Sequence, residues 1–189
     1  MSKIEIPEYS LGEELVSSIS HGIGALLGIA ALVLSVVFSK NPITIVSSAI
    51  YGITLIILYL ISCLYHSFSP RIKAKKVFRV LDHDSIYLLI FGTYMPYLLV
   101  SIGGSKGWTL WGILLGLSIL GIVFNSINLE KFKNVSLISY ILMGWIIIFS
   151  FNDVYNSIGF YGTLYLILGG VFYTIGALFY RLGKKIKYM

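Results

Sequence analysis

Ser62 and His66 stand four residues apart in "SCLYHS", and Asp82, His83 and Asp84 follow beyond a basic stretch. On a helix, residues four apart share a face, so a hydroxyl and an imidazole are presented together. If the next helix packs against that face, Asp82 meets His66 at similar depth. A neutral imidazole and a carboxylate are standard zinc ligands or ligand partners. Zinc held there would lower the pKa of its water toward ~7, giving a nucleophile at neutral pH. Upstream, Glu14 and His21 are two helical turns apart on one stripe, with Ser17 and Ser18 between them. Plainer readings stand beside these. Asp82 fits equally well as the cap of a helix start, where its charge suits the dipole. His66 and His21 fit as interfacial side chains reaching toward headgroups, His83 as a surface residue, and Ser62 as a hydroxyl bonded back to its own helix. Cys63, three residues before His66, reads as a small apolar residue. The basic run from Arg71 to Arg79 reads as a solvated, lipid-facing link.

The elements that must position these groups belong in a membrane. Of 189 residues, 57% are hydrophobic and only 12% charged, and mean hydropathy is +0.89. A soluble domain of this size carries about twice that share of charge. Lipid admits only helices and closed barrels, and long unbroken apolar runs choose helices. Six spans are expected, near 19–38, 43–65, 83–101, 107–125, 135–150 and 159–180. Pro42 fits the first position of the second helix. Pro96 is expected to kink the third, with Gly92 relieving the crowding. "GALLG" (Gly24 to Gly28) and "GILLG" (Gly112 to Gly116) have the spacing that lets helices approach closely.

Twelve of the fourteen Lys and Arg residues fall on the side shared by the N-terminus, the second and fourth links and the C-terminal tail. Lys40 and Lys106 alone fall on the other. The N-terminus is therefore expected in the cytoplasm. The net charge of +6 reads as a topology signal and as attraction to anionic lipid rather than to nucleic acid. The lead-in "MSKIEIPEYSLGEELVSS" carries one lysine and four glutamates, the wrong balance for a secretory signal, and is expected to be a retained amphipathic segment. With Cys63 the only cysteine, no internal disulfide is possible. All three histidines fall at cytoplasmic span ends, so one end of the bundle is polar and the span centres are apolar.

Four stretches together, "EELVSSISHGIGALLGI" (Glu13 to Ile29), "SCLYHS" (Ser62 to Ser67), "RVLDHDSIYLLIFGTYMPY" (Arg79 to Tyr97) and "GGVFYTIGALFY" (Gly169 to Tyr180), resemble the bacterial hemolysin III family. That family groups with the progestin and adipoQ receptors and, more distantly, with alkaline ceramidases. The resemblance implies an all-α integral membrane protein with a seven-helix bundle, of which residues 1–189 form a single transmembrane domain with six helices present and the seventh apparently absent, in a bacterial cell membrane, with a zinc site near the cytoplasmic face. It implies His66 as a metal ligand, Ser62 beside the metal and its water, and Asp82 holding that water. Glu14 and His21 match the first-helix motif, and position 17 is Ser where relatives often carry Asn. The family's remaining ligands are a His-x-x-x-His pair on a seventh helix. No histidine follows His83 here, and the sequence stops at "RLGKKIKYM", so a truncated chain is expected in preference to a natural six-helix form.

The function expected on these grounds is zinc-dependent hydrolysis of a lipid amide or ester. Asp82 would serve as base or water positioner and Ser62 as a partner of the developing oxyanion. A non-enzymatic lipid-binding or membrane-homeostasis role is the alternative. The pore-forming, cytolytic activity in the family's name needs a polar stripe through the whole bilayer, which a monomer of this sequence lacks. Membrane lipids are the expected partners.

Overall fold

The computed structural model describes residues 4–182. The described residues are helical nearly throughout, as the apolar runs require. Helix α1 spans Leu11–Val37, α2 Pro42–Ser67 and α3 Lys73–Pro96, the last running into a π-helical turn over Tyr97–Ile102. Helix α4 spans Gly104–Gly144 and α5 Phe151–Leu182, with a short 3-10 stretch, Ile146–Ser150, between them. The chain falls into two compact units, one ending at Lys133 and one beginning at Asn134.

Among the described residues, four helical runs are long and apolar enough to cross a membrane: Leu11–Val37, Pro42–Ser67, Lys73–Ile102 and Gly104–Leu182. The last covers 79 residues where three spans were expected. It is not regular throughout. Asn128 leaves helical geometry at φ −161 and ψ 91 within α4, and Gly159 does so at φ 68 within α5. The second position suits glycine, since a left-handed φ costs any residue with a Cβ.

Helix α1 starts eight residues before the expected span. Ser10 and Glu13 close a capping box, with Ser10 N donating to Glu13 Oε2 at 2.6 Å and Glu13 N donating to Ser10 Oγ at 3.3 Å. The acidic lead-in thereby becomes the first turns of α1 and carries Glu14 into the structure. Helix α2 opens at Pro42, as expected, behind an Asn41 cap that accepts from Thr44 N at 2.9 Å.

The larger departure is α3. It begins at Lys73, behind Ile72 as its cap residue, so Asp82 sits well inside a helix and caps nothing. Sequence hydropathy hides this start, because "KAKK" is polar while being good helix-forming material. The basic run is accordingly not a solvated link. Arg71, Lys73 and Lys76 are exposed, but Lys75 is 0% and Arg79 6% exposed.

Glycines set the helix crossings in the first unit. A Cβ on Gly24 would lie 2.7 Å from the Tyr59 ring, and one on Gly28 3.2 Å from Ile56, so "GALLG" is an α1–α2 contact as its spacing suggests. A Cβ on Gly92 would lie 2.0 Å from Thr54 Oγ1. Gly92 thus admits α2, and at Pro96 the helix passes directly into the π-helical turn. The "GILLG" glycines, Gly112 and Gly116, have nothing within 4 Å of a built Cβ.

In the second unit, Trp145 Nε1 donates to Thr174 Oγ1 at 2.9 Å, and that hydroxyl donates to Gly170 O at 2.8 Å. A Cβ at Gly170 would stand 3.3 Å from the Trp145 ring. An indole pinned against a small residue locks α5 to the end of α4.

Candidate functional site

The start of α1, the end of α2 and the first half of α3 meet at one end of the first unit, and the polar residues converge there. His66, in the last turn of α2, donates from Nδ1 to Glu14 Oε2 at 2.7 Å. A carboxylate only accepts, so the proton of this bond sits on Nδ1, and Nε2 is the nitrogen turned away from Glu14. The other Glu14 oxygen accepts from Lys75 Nζ, which also donates to the Phe68 carbonyl at 2.9 Å. Lys75 Nζ stands 5.1 Å from the centroid of the Tyr65 ring as well, a cation–π contact in a dry setting. One lysine thus ties α1, the end of α2 and the α2–α3 link together from α3. Side chains of Glu14 and His66 are each 13% exposed.

Aromatic rings enclose His66. Tyr65 lies at 4.7 Å, Tyr9 at 5.7 Å and His21 at 5.9 Å between centroids. His21 also contacts Tyr59 at 5.9 Å. Its Nδ1 is buried without a hydrogen-bond partner among the described residues, so the pocket keeps one unused imidazole nitrogen near His66.

Ser62 lies one turn before His66 and is buried. Neither a back bond to its own helix nor any other side-chain hydrogen bond of Ser62 occurs among the described residues; the back bond on this helix end comes from Ser67, to Cys63 O at 2.7 Å. Asp82 is half-buried. Its charge acts on His21 and Tyr65, two rings that flank His66, while no hydrogen bond joins Asp82 to His66 among the described residues. Ser18 Oγ approaches Cys63 Sγ at 3.7 Å and pairs with Ser67 Oγ at 2.6 Å, which makes Cys63 part of an α1–α2 contact.

His83 is half-buried rather than open to the surface. It donates from Nδ1 to Arg79 O at 3.0 Å, and the charges of Asp82, Arg79 and Glu130 act on it. It belongs to the other side of α3, where Arg79 Nη2 meets Glu130 Oε1 at 2.6 Å and Lys133 approaches Glu130 at 3.5 Å.

Lys75 and Arg79 are the members that sequence reasoning missed. A basic run beside a membrane span reads as a topology signal. The available clue was their spacing of four, continued at His83, which marks one stripe of a helix and not a link.

Among the described residues, no group of three or more His, Cys, Asp and Glu side chains is placed to hold a metal ion. His66 does have the form a ligand takes, with its outer nitrogen fixed by a carboxylate. A catalytic zinc takes three protein ligands and a structural one four, so the described residues do not complete such a centre.

A family model described as Haemolysin-III related matches residues 9–187. The chain belongs to the haemolysin-III related family. A protein named Hemolysin-3 from Bacillus cereus is 40% identical over 171 residues, covering 89% of this chain and 78% of that protein. A Hemolysin-3 homolog from Bacillus subtilis is 39% identical over 183 residues, covering 95% and 85%. More distant is the human Monocyte to macrophage differentiation factor, 26% identical over 147 residues, with 72% of this chain and 58% of that protein covered. No solved structure matches. The haemolysin-III match takes in both compact units and every residue of the His66 pocket, and with the apolar helices it makes this a membrane protein.

Proposed function

We propose that this haemolysin-III family protein hydrolyses amide or ester bonds of membrane lipids at the cytoplasmic face. The observation that carries the reading is the Glu14–His66 pair. It fixes one imidazole tautomer in a pocket that also holds a free hydroxyl, Ser62, and a carboxylate, Asp82, with no hydrogen bond of its own to His66. Such groups bind, orient and move protons at a carbonyl. His66 Nε2 faces the task with a lone pair, Asp82 is the acceptor for a proton from water, and the Ser62 hydroxyl is the donor toward oxyanion charge. Zinc dependence rests on the family resemblance. The metal would take His66 and Asp82 and supply Lewis acidity. The cytoplasmic placement rests on the bias of Lys and Arg toward the pocket end. A single helical run of 79 residues is several times the thickness of a bilayer core, and its departures from helical geometry at Asn128 and Gly159 support a reading in which it holds the three further spans of a six-span chain.

A second reading has its own support. Lys75 already neutralises Glu14, so the network also makes sense as a purely structural tie in a non-enzymatic lipid-binding protein. Purified protein incubated with a panel of amide- and ester-linked lipids distinguishes the two. Hydrolysis predicts fatty acid release that falls sharply in Asp82→Asn protein of unchanged fold. No release from any lipid of the panel leaves the structural reading. Liposome dye release without fatty acid would point to the pore instead.

A further inference from the structure

The face of α3 turned toward α4 carries a polar set that the His66 pocket does not use. The two helices run antiparallel, with Arg79 against Glu130, Asp84 against Asn125 and Ser126, and Tyr87 against Ser118 and Gly121. Asp84 is 7% exposed, and its Oδ1 is buried with no hydrogen-bond partner among the described residues. Its Oδ2 lies 3.4 Å from Ser126 Oγ, and the Asn125 side chain, itself buried, bonds the same carboxyl group. The nearby cations pair with other carboxylates: Arg79, through Nη2, and Lys133 with Glu130, and Lys75 with Glu14. No charged side chain is among the groups acting on Asp84. A carboxylate buried without a positive partner is strongly disfavoured, so this position calls for a cation or a proton.

We propose that Asp84, Asn125 and Ser126 form a binding site for a monovalent alkali cation of sodium's size. The donors are all oxygens once the Asn125 amide turns its carbonyl inward, a flip that leaves its shape unchanged, and oxygen donors select hard cations. One carboxylate balances a single positive charge. The 3.4 Å between Asp84 and Ser126 is long for a hydroxyl–carboxylate hydrogen bond, which closes to about 2.6 Å. It matches the edge of an octahedron of oxygens about 2.4 Å from a central ion, since such an edge is about 3.4 Å. Tyr87, fully buried with its ring against Gly121, closes the seam next to the site, so the cation would enter from the end of the helix pair that carries Arg79, Glu130 and the half-exposed Lys133.

The test is equilibrium binding of radioactive sodium to the purified full chain in detergent, with choline chloride holding ionic strength constant. The site predicts saturable binding of one ion per chain. It predicts no saturable binding in Asp84→Asn protein, and about 10-fold weaker binding in Ser126→Ala. The thermal unfolding midpoint of the wild type should rise when sodium replaces choline, because a ligand bound only by the folded state stabilises it. Saturable binding that survives Asp84→Asn overturns the assignment. So does a midpoint that responds to pH but is the same in sodium and choline, the behaviour of a proton alone. If Asp84→Asn does not fold, the wild-type isotherm and Ser126→Ala decide: the absence of saturation, or full affinity in Ser126→Ala, rejects the site.

Discussion

Toward α1 and α2, helix α3 presents Lys75, whose ammonium meets the Glu14 carboxylate, the Phe68 carbonyl and the Tyr65 ring. Toward α4 it presents Arg79 and Asp84, each with a buried polar atom left over, Nη1 of one and Oδ1 of the other. Both faces place charge in surroundings that penalise it, and they resolve the penalty differently. The Lys75 side closes on itself: the ammonium and the carboxylate neutralise each other, and the remaining bond of Glu14 goes to orienting His66. The Arg79 side keeps buried polar atoms without a partner among the described residues. A saturated network fixes geometry, as a pocket built around one imidazole requires. An unsaturated one has room for something that comes and goes.

The contrast can be broken from either side. Replacing Lys75 with Met has the largest expected effect, because it removes the ammonium from the buried Glu14 carboxylate and leaves it the His66 bond alone. Loss of about 3–5 kcal/mol is expected, read as a lowered unfolding midpoint in detergent. Arg79→Met should cost less, about 2 kcal/mol by the same measurement, since Glu130 keeps Lys133 and its side chain is already 24% exposed. Equal losses would mean that the two faces are not distinct in kind. The crossing that holds α3 against α2 is sharpened by Gly92→Ala, whose new methyl overlaps Thr54; overpacking of this sort costs about 1–3 kcal/mol. Gly112→Ala, with open space around it, should be neutral or stabilising by up to about 1 kcal/mol. A comparably small effect belongs to the entry of Glu14 into the pocket. Ser10→Ala removes the α1 cap for about 1 kcal/mol and should leave the rest of the first unit unchanged in proteolysis.

Much of the first unit was legible in advance because its signals are local. Apolar runs located α1 and α2, Pro42 marked a start, and the four-residue spacing of Ser62 and His66 put both on one stripe. What stayed hidden depends on partners distant in sequence. Nothing local to Lys75 says that Glu14, some sixty residues earlier, will bury it, and polar "KAKK" masks a helix start that hydropathy places ten residues later. Glu14 itself was legible as part of a motif, but its bond to His66 was not, since that bond requires α1 to begin at Leu11 instead of at the apolar run. The relation between Gly92 and Thr54 was equally invisible, since it depends on a side chain of another helix. In the last 79-residue run, length and breaks are visible in the backbone, whereas the expected spans came from hydropathy alone.

The account stands most directly on His66 as the chemical centre of the pocket. Fatty acid release from the best lipid of the panel should be measured for wild-type and His66→Ala protein, with the unfolding midpoint of each recorded on the same preparation. Release is expected to fall by about 100-fold or more in protein that still unfolds cooperatively. Undiminished release from folded His66→Ala protein would contradict the account.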